Sequence, residues 1–253
     1  MLYIEGAAGI SGDMTVGALL SLGASQERLK AVLDSLKLGD EFSYVISEKA
    51  SYGIAGTDFD VILPHRHHHH EHGHHHHNHH EHRNLADVEA VIDRGEMSDR
   101  ARALAKRAFR FVAEAEAKAH GKPLDEVHFH EVGAIDSIVD IVSAAVLFDD
   151  LGETECVVAG LTEGSGTVMC AHGELPVPVP AVLNIAAATG SPLRVSDTKG
   201  ECVTPTGIAL AAAFRTRETL PAAYRVKGVG IGLGKRDYGR PAILRIMKIE
   251  AAE

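Results

Sequence analysis

At 253 residues the chain is long enough for one large domain or two small ones, each with a real core. A formal net charge of −10 with histidines neutral disfavours nucleic acid and anionic membrane as partners, and suits solubility and attraction of metal cations. No apolar run is long enough to cross a bilayer, the start MLYIEGAAGISGDM lacks a signal-peptide pattern, and Cys156, Cys170 and Cys202 form no Cys-x-x-Cys pair, so a cytoplasmic protein without disulfides is expected.

Residues 2–5 read as a short buried strand, followed by a Gly-rich turn over 6–12. Met14, Ala18, Leu19 and Leu22 recur at helical spacing and predict a helix over 13–22. Gly23 stops it, and Ser25 caps a second helix running to about residue 36. Residues 42–47 and 57–63 read as strands of a hairpin or crossed pair, with Gly53 and Gly56 between them. Between Pro64 and Leu85 there is no apolar side chain, which predicts a disordered loop.

Asn84 then caps a helix over 85–92, and Ser98 caps a long one to about 119 with Leu104, Ala108, Phe111, Val112 and Ala115 on its inner stripe. A helix over 135–151 is apolar nearly all round and should be buried. Strands are expected at 156–159, 167–170, 224–230 and 242–249, and helices at 179–188 and 205–214. The fold class is a mixed α/β sandwich: a mixed sheet packed by several helices. Residues 1–63 form an N-terminal part, 64–83 the His-rich loop, and 84–250 the main part, the first and last joined in one compact domain.

Thirteen of the 17 histidines fall in the loop: His65, His67, His68, His69, His70, His72, His74, His75, His76, His77, His79, His80 and His82. An expression tag would be terminal and uniform; this run is internal and interrupted by Arg66, Glu71, Gly73, Asn78 and Glu81. Neutral imidazoles on one chain suit nickel, copper or zinc, and act as an antenna that raises metal concentration near a more selective site. Acidification should weaken that binding as protons compete.

A second constellation is ordered by sequence rather than crowded. In VHFHEVGAIDSIVD, His128 and His130 alternate and share a face of an extended segment, Glu131 follows, and Asp136 and Asp140 lie four apart on one face of a helix. Carboxylates on so apolar a helix are costly unless paired or coordinating. The plain alternative is that Asp136 caps the helix and the histidines hydrogen-bond in the core; for the cluster as a whole a functional site is the better reading. The Gly6–Gly12 turn stands where backbone N–H groups bind phosphate, without a Walker or dinucleotide pattern; Ser11 and Asp13 either face a ligand or cap. Cys170 and His172 allow Cys–His chemistry or a buried thiol beside a loop histidine. Gly228, Gly230, Gly232 and Gly234, with Lys235, Arg236 and Asp237, read as an anion-binding turn or a bulged hairpin.

Six blocks in one order resemble the LarC-type nickel-insertion family: GISGDM at 9–14, the histidine tract, HFHEVGAIDSIVD at 128–140, GSGTVMCAHGELPVPVPA at 164–181, GECVTPTG at 200–207 and GVGIGLGKRD at 228–237. The resemblance implies CTP-dependent insertion of nickel into pyridinium-bisthiocarboxylate mononucleotide, with two sulfur–nickel bonds and one carbon–nickel bond formed. Phosphate candidates are then Gly9, Ser11 and Gly12, or Lys235 and Arg236. His130, Glu131, Asp136 and Asp13 are candidates for the base that removes the ring proton. His128, His130 and Asp140 are candidate nickel ligands beside the loop. The resemblance covers the N-terminal portion of such proteins and implies that CTP, with a divalent metal, binds a C-terminal domain or chain. It also implies apo lactate racemase-type enzymes as recipients; homo-oligomerisation is left open. Rival readings are a non-catalytic nickel metallochaperone or reservoir, a metal-dependent hydrolase built on His128, His130, Asp136 and Asp140, and an interaction module with an incidental loop.

Overall fold

The computed structural model describes residues 1–64, 83–126, 135–170 and 172–252. The histidine tract at 65–82 and the His128, His130 and Glu131 positions lie outside the described residues. Within them the architecture is mixed α/β, as expected. A six-stranded sheet has the order β2 (Ser43–Ser51), β3 (Ile54–Ile62), β9 (Tyr224–Leu233), β10 (Ile243–Ala251), β1 (Leu2–Glu5) and β4 (Cys156–Val158). It is mixed: β2/β3, β9/β10 and β10/β1 run antiparallel, β3/β9 and β1/β4 parallel. Its strands come from both ends of the chain. Two smaller two-stranded sheets pair β5 (Leu161–Ser165) with β8 (Leu193–Lys199), and β6 (Thr167–Cys170) with β7 (Gly173–Pro176).

Helix α1 (Gly12–Ser21) lies flat on the large sheet because glycines remove the side chains that would hold it off. A Cβ at Gly232 would sit 1.8 Å from the Met14 carbonyl oxygen, and one at Gly230 2.0 Å from that of Ala18. Of the period-two glycines read as a turn or bulged hairpin, Gly230 and Gly232 are therefore positions on β9 that face a helix, within a β9–β10 hairpin whose register shifts at Lys248/Ile249. Helix α5 (Ile135–Asp150) packs on α1, α2 (Gln26–Ser35) and α4 (Asp99–His120), and α4 in turn on α6 (Pro180–Thr189) and α7 (Pro205–Phe214). That enclosure explains why α5 is apolar nearly all round.

Caps fix the helix starts as read from sequence. Ser25 accepts from the Arg28 N–H at 3.1 Å, Ser98 from Ala101 at 3.0 Å, and Asn84 forms a reciprocal box with Asp87 at the head of α3 (Leu85–Arg94). The differences are local. The hairpin strands β2 and β3 run further than expected, since the turn is only Tyr52-Gly53, both left-handed, and Gly56 falls inside β3. On α4 the buried stripe carries Phe109 and Ala105, while Leu104 and Phe111 are only half-buried. Strands β5, β7 and β8 had no clear apolar alternation and were not anticipated.

Candidate functional site

Five separate parts of the chain converge on one cleft of about 250 Å³. The β1–α1 turn supplies Ser11, Gly12 and Asp13; α5 supplies Asp136, Ser137 and Asp140; β3 supplies Val61. The head of α7 supplies Thr204 and Thr206, and the chain after β9 supplies Lys235. Two backbone bonds strap the turn to the α7 approach: Ile10 N–H to the Cys202 carbonyl at 2.9 Å, and Thr204 N–H to the Ile10 carbonyl at 3.0 Å. Glu163, fully buried, braces the same approach by accepting at one oxygen from the N–H groups of Gly164, Cys202 and Val203 at 2.7, 2.6 and 3.0 Å. Burial pushes its carboxyl above the ordinary range.

The cleft is acidic and tightly built. The Ser11 hydroxyl donates to Asp13, whose carboxylate also accepts the Met14 N–H at 2.9 Å. A Cβ on Gly12 would lie 2.4 Å from Asp140 Oδ2, so only glycine lets that carboxylate rest on the α1 N-terminus. Asp140 Oδ1 is sequestered without a hydrogen-bond partner. Burial, then the neighbouring Asp13 and Asp136 charges, push the Asp140 carboxyl well above its ordinary range. Burial raises Asp136 as well. Lys235 bonds Asp60 and stands 3.8 Å from Asp13. Burial works against its ammonium, but the Asp60 bond and the charges of Asp13, Asp60 and Asp140 outweigh that and hold its pKa up.

Chemically, three carboxylates with one lysine suit a cation and a proton acceptor better than a phosphate. Among the described residues no group of three or more His, Cys, Asp or Glu side chains closes into a metal cluster, so these carboxylates would need donors from elsewhere to complete a coordination shell. Described residues that neighbour two histidine-bearing stretches in sequence stand here. Asp60 and Val61 stand five and four positions before His65, and Asp136 stands five after Glu131.

The other expected residues fall elsewhere. Gly9 adopts φ 101° and touches the Cys202 carbonyl, a Cβ there reaching 2.1 Å from its oxygen; packing accounts for it. Arg236, although next to Lys235, pairs with Glu201 at 3.2 Å and lines a second, larger cavity of about 420 Å³. That cavity also holds Cys170, whose thiol donates to the Gly173 carbonyl at 3.3 Å, and His172, whose ring lies 4.9 Å from that of His120. Sequence reasoning passed over Thr204, Thr206, Asp60, Glu163 and His120. The Thr-Pro-Thr step, a helix cap with proline in the first turn, was the one available signal for the threonines.

A family profile described as nickel insertion protein matches residues 2–253. The chain is 53% identical over 254 residues to the pyridinium-3,5-bisthiocarboxylic acid mononucleotide nickel insertion protein of Alkaliphilus metalliredigens, a match covering 98% of this chain and 60% of that one. Proteins of the same name from Acetivibrio thermocellus and Clostridium kluyveri are 42% and 40% identical, covering 100% and 97% of this chain and 61% of each relative. The chain belongs to the nickel insertion protein family, and it spans about three fifths of the length of these relatives. No solved structure matches it. Among the described residues no helix is long and apolar enough to cross a membrane.

Proposed function

We propose that the chain is the nickel-handling part of an enzyme that inserts nickel into pyridinium-3,5-bisthiocarboxylic acid mononucleotide, the compound in its relatives' names. One observation carries this reading: Val61 and Asp136, which stand four positions before His65 and five after Glu131 in sequence, both line the acidic cleft with Asp13 and Asp140. The thirteen imidazoles of 65–82 gather nickel, and Asp140, with His128 and His130, holds it in transit.

In the reaction, two thiocarboxylate sulfurs and one ring carbon bond Ni²⁺, and the proton on that carbon leaves. A carboxylate raised above its ordinary range is a better proton acceptor than an exposed one, which favours Asp136 as the base. Asp13, Glu131 and His130 are the other groups in line for that role. The phosphate goes to the Arg236 side, since Lys235 is paired with Asp60 and Asp13 in the cleft; Ser11, Gly12 and Gly9 surround a helix start already facing Asp13 and Asp140, where a further anion is repelled. This is a chelatase of the cyclometallase lyase type. It depends on CTP and a divalent metal bound by the portion of the relatives that this chain does not span, and it hands its product to apo lactate racemase-type enzymes.

Asp136→Asn keeps the shape of the side chain and removes the base. In a single-turnover insertion assay with the C-terminal portion and CTP supplied, it should lower the rate by about 100-fold while nickel uptake measured by dialysis stays the same. An unchanged insertion rate would remove Asp136 from the chemistry.

A further inference from the structure

The acidic cleft and the larger cavity share a boundary. Thr204 and Thr206 face the cleft while Pro205 faces the cavity, and Lys235 faces the cleft while Arg236 faces the cavity. The two spaces are thus one residue's width apart at the head of α7 and again after β9. Their chemistries differ. The cleft is small and acidic; the cavity is larger and carries apolar walls and charges of both signs.

Three features of the cavity point to one kind of ligand. At about 420 Å³ it falls in the size range of small-molecule sites. Val168 and Leu175 on the β6–β7 hairpin and Val179 before α6 offer apolar surface to a flat ring, with the tilted His120–His172 ring pair alongside. Arg236, about half exposed and paired with Glu201 at 3.2 Å, gives the cavity a cationic edge for a ligand's anionic substituents. The thiol of Cys170 and the thioether of Met169, 74% exposed at the rim, add a soft, polarisable lining. The cleft, in contrast, opposes a doubly charged phosphate with three carboxylates against one lysine.

We infer that this cavity is the binding site for the organic substrate, a pyridinium mononucleotide, while the acidic cleft receives the metal. The inference rests on the nickel-insertion reading and adds where the second reactant sits. The metal then passes from the cleft to the ring at the boundary beside Pro205, where the carbon–nickel and sulfur–nickel bonds form.

The test is calorimetric titration of the metal-free 253-residue chain with nicotinic acid mononucleotide, a pyridinium mononucleotide bearing one carboxylate in place of the thiocarboxylates. Ala119 is exposed at the end of α4 and lines the cavity, so Ala119→Trp fills the space without entering the core. Binding should weaken by at least about tenfold in Ala119→Trp and by about fivefold in Arg236→Ala, and stay within about twofold in Thr206→Val, which alters the cleft instead. Arg236→Ala removes a surface side chain and serves if the tryptophan variant fails to fold. Absence of binding up to about 5 mM, wild-type affinity in both cavity variants, or loss of binding in Thr206→Val would each overturn the assignment. The two readings fail separately. If insertion proceeds but Ala119→Trp leaves the KM for the precursor unchanged, the cavity assignment falls alone. If the nucleotide binds as described but no nickel is inserted by the completed system, the functional reading falls and the cavity site stands.

Discussion

Asp140 illustrates how function and stability pull apart at a single side chain. Its carboxyl sits above its ordinary 3.8 in the folded chain because burial and two neighbouring carboxylates disfavour its charge. The folded state therefore holds a proton that the unfolded state releases, so stability falls as pH rises from about 3.8 through the raised folded value, and the loss persists at neutral pH. Asp140→Asn removes that loss. Its melting midpoint at pH 7 should rise by about 3 °C, the size expected of ~1 kcal/mol in a chain of this length, and the gain should vanish below the ordinary carboxylate range. A divalent cation should raise the midpoint of the wild type more than that of the variant. Thermal scans across pH, with and without nickel, check all three; a lower midpoint for the variant at pH 7 would show that the carboxylate is satisfied in the fold.

Elements are held in place by what the sequence leaves out as much as by what it contains. Gly230 and Gly232 let α1 approach β9 backbone to backbone, and this places Ser11, Gly12 and Asp13 beside Lys235. Gly232→Ala forces the two apart and should cost about 2–3 kcal/mol in urea denaturation, with insertion activity falling as the cleft widens. A cost near zero would mean the helix shifts freely. Much of this level was readable in advance. Ser25, Asn84 and Ser98 announce helix starts by chemistry that is local, and the apolar surround of α5 is a local signal too. The glycine run was legible as a pattern and ambiguous in meaning, because its partner, α1, lies over two hundred residues away in sequence. Asp13, Asp136, Asp140 and Lys235 could be picked out one at a time, but their convergence depends on α1, α5 and β9 packing together. The separation of Lys235 from Arg236 into two spaces depends on the direction of adjacent side chains, which no spacing rule conveys.

In the whole molecule the labour is divided between a collecting segment and a folded destination. Deleting residues 65–82 should therefore raise the nickel concentration needed for half-maximal insertion by about tenfold or more, while the rate at saturating nickel stays near that of the intact chain. A reservoir protein would behave differently, losing its function at every nickel concentration. The most direct test of the central claim is anomalous diffraction at the nickel edge from crystals of the intact chain grown with nickel. A peak within coordination distance of the Asp140 carboxylate, in the acidic cleft, is predicted. An ordered nickel ion elsewhere in the fold, with that cleft empty, would contradict it.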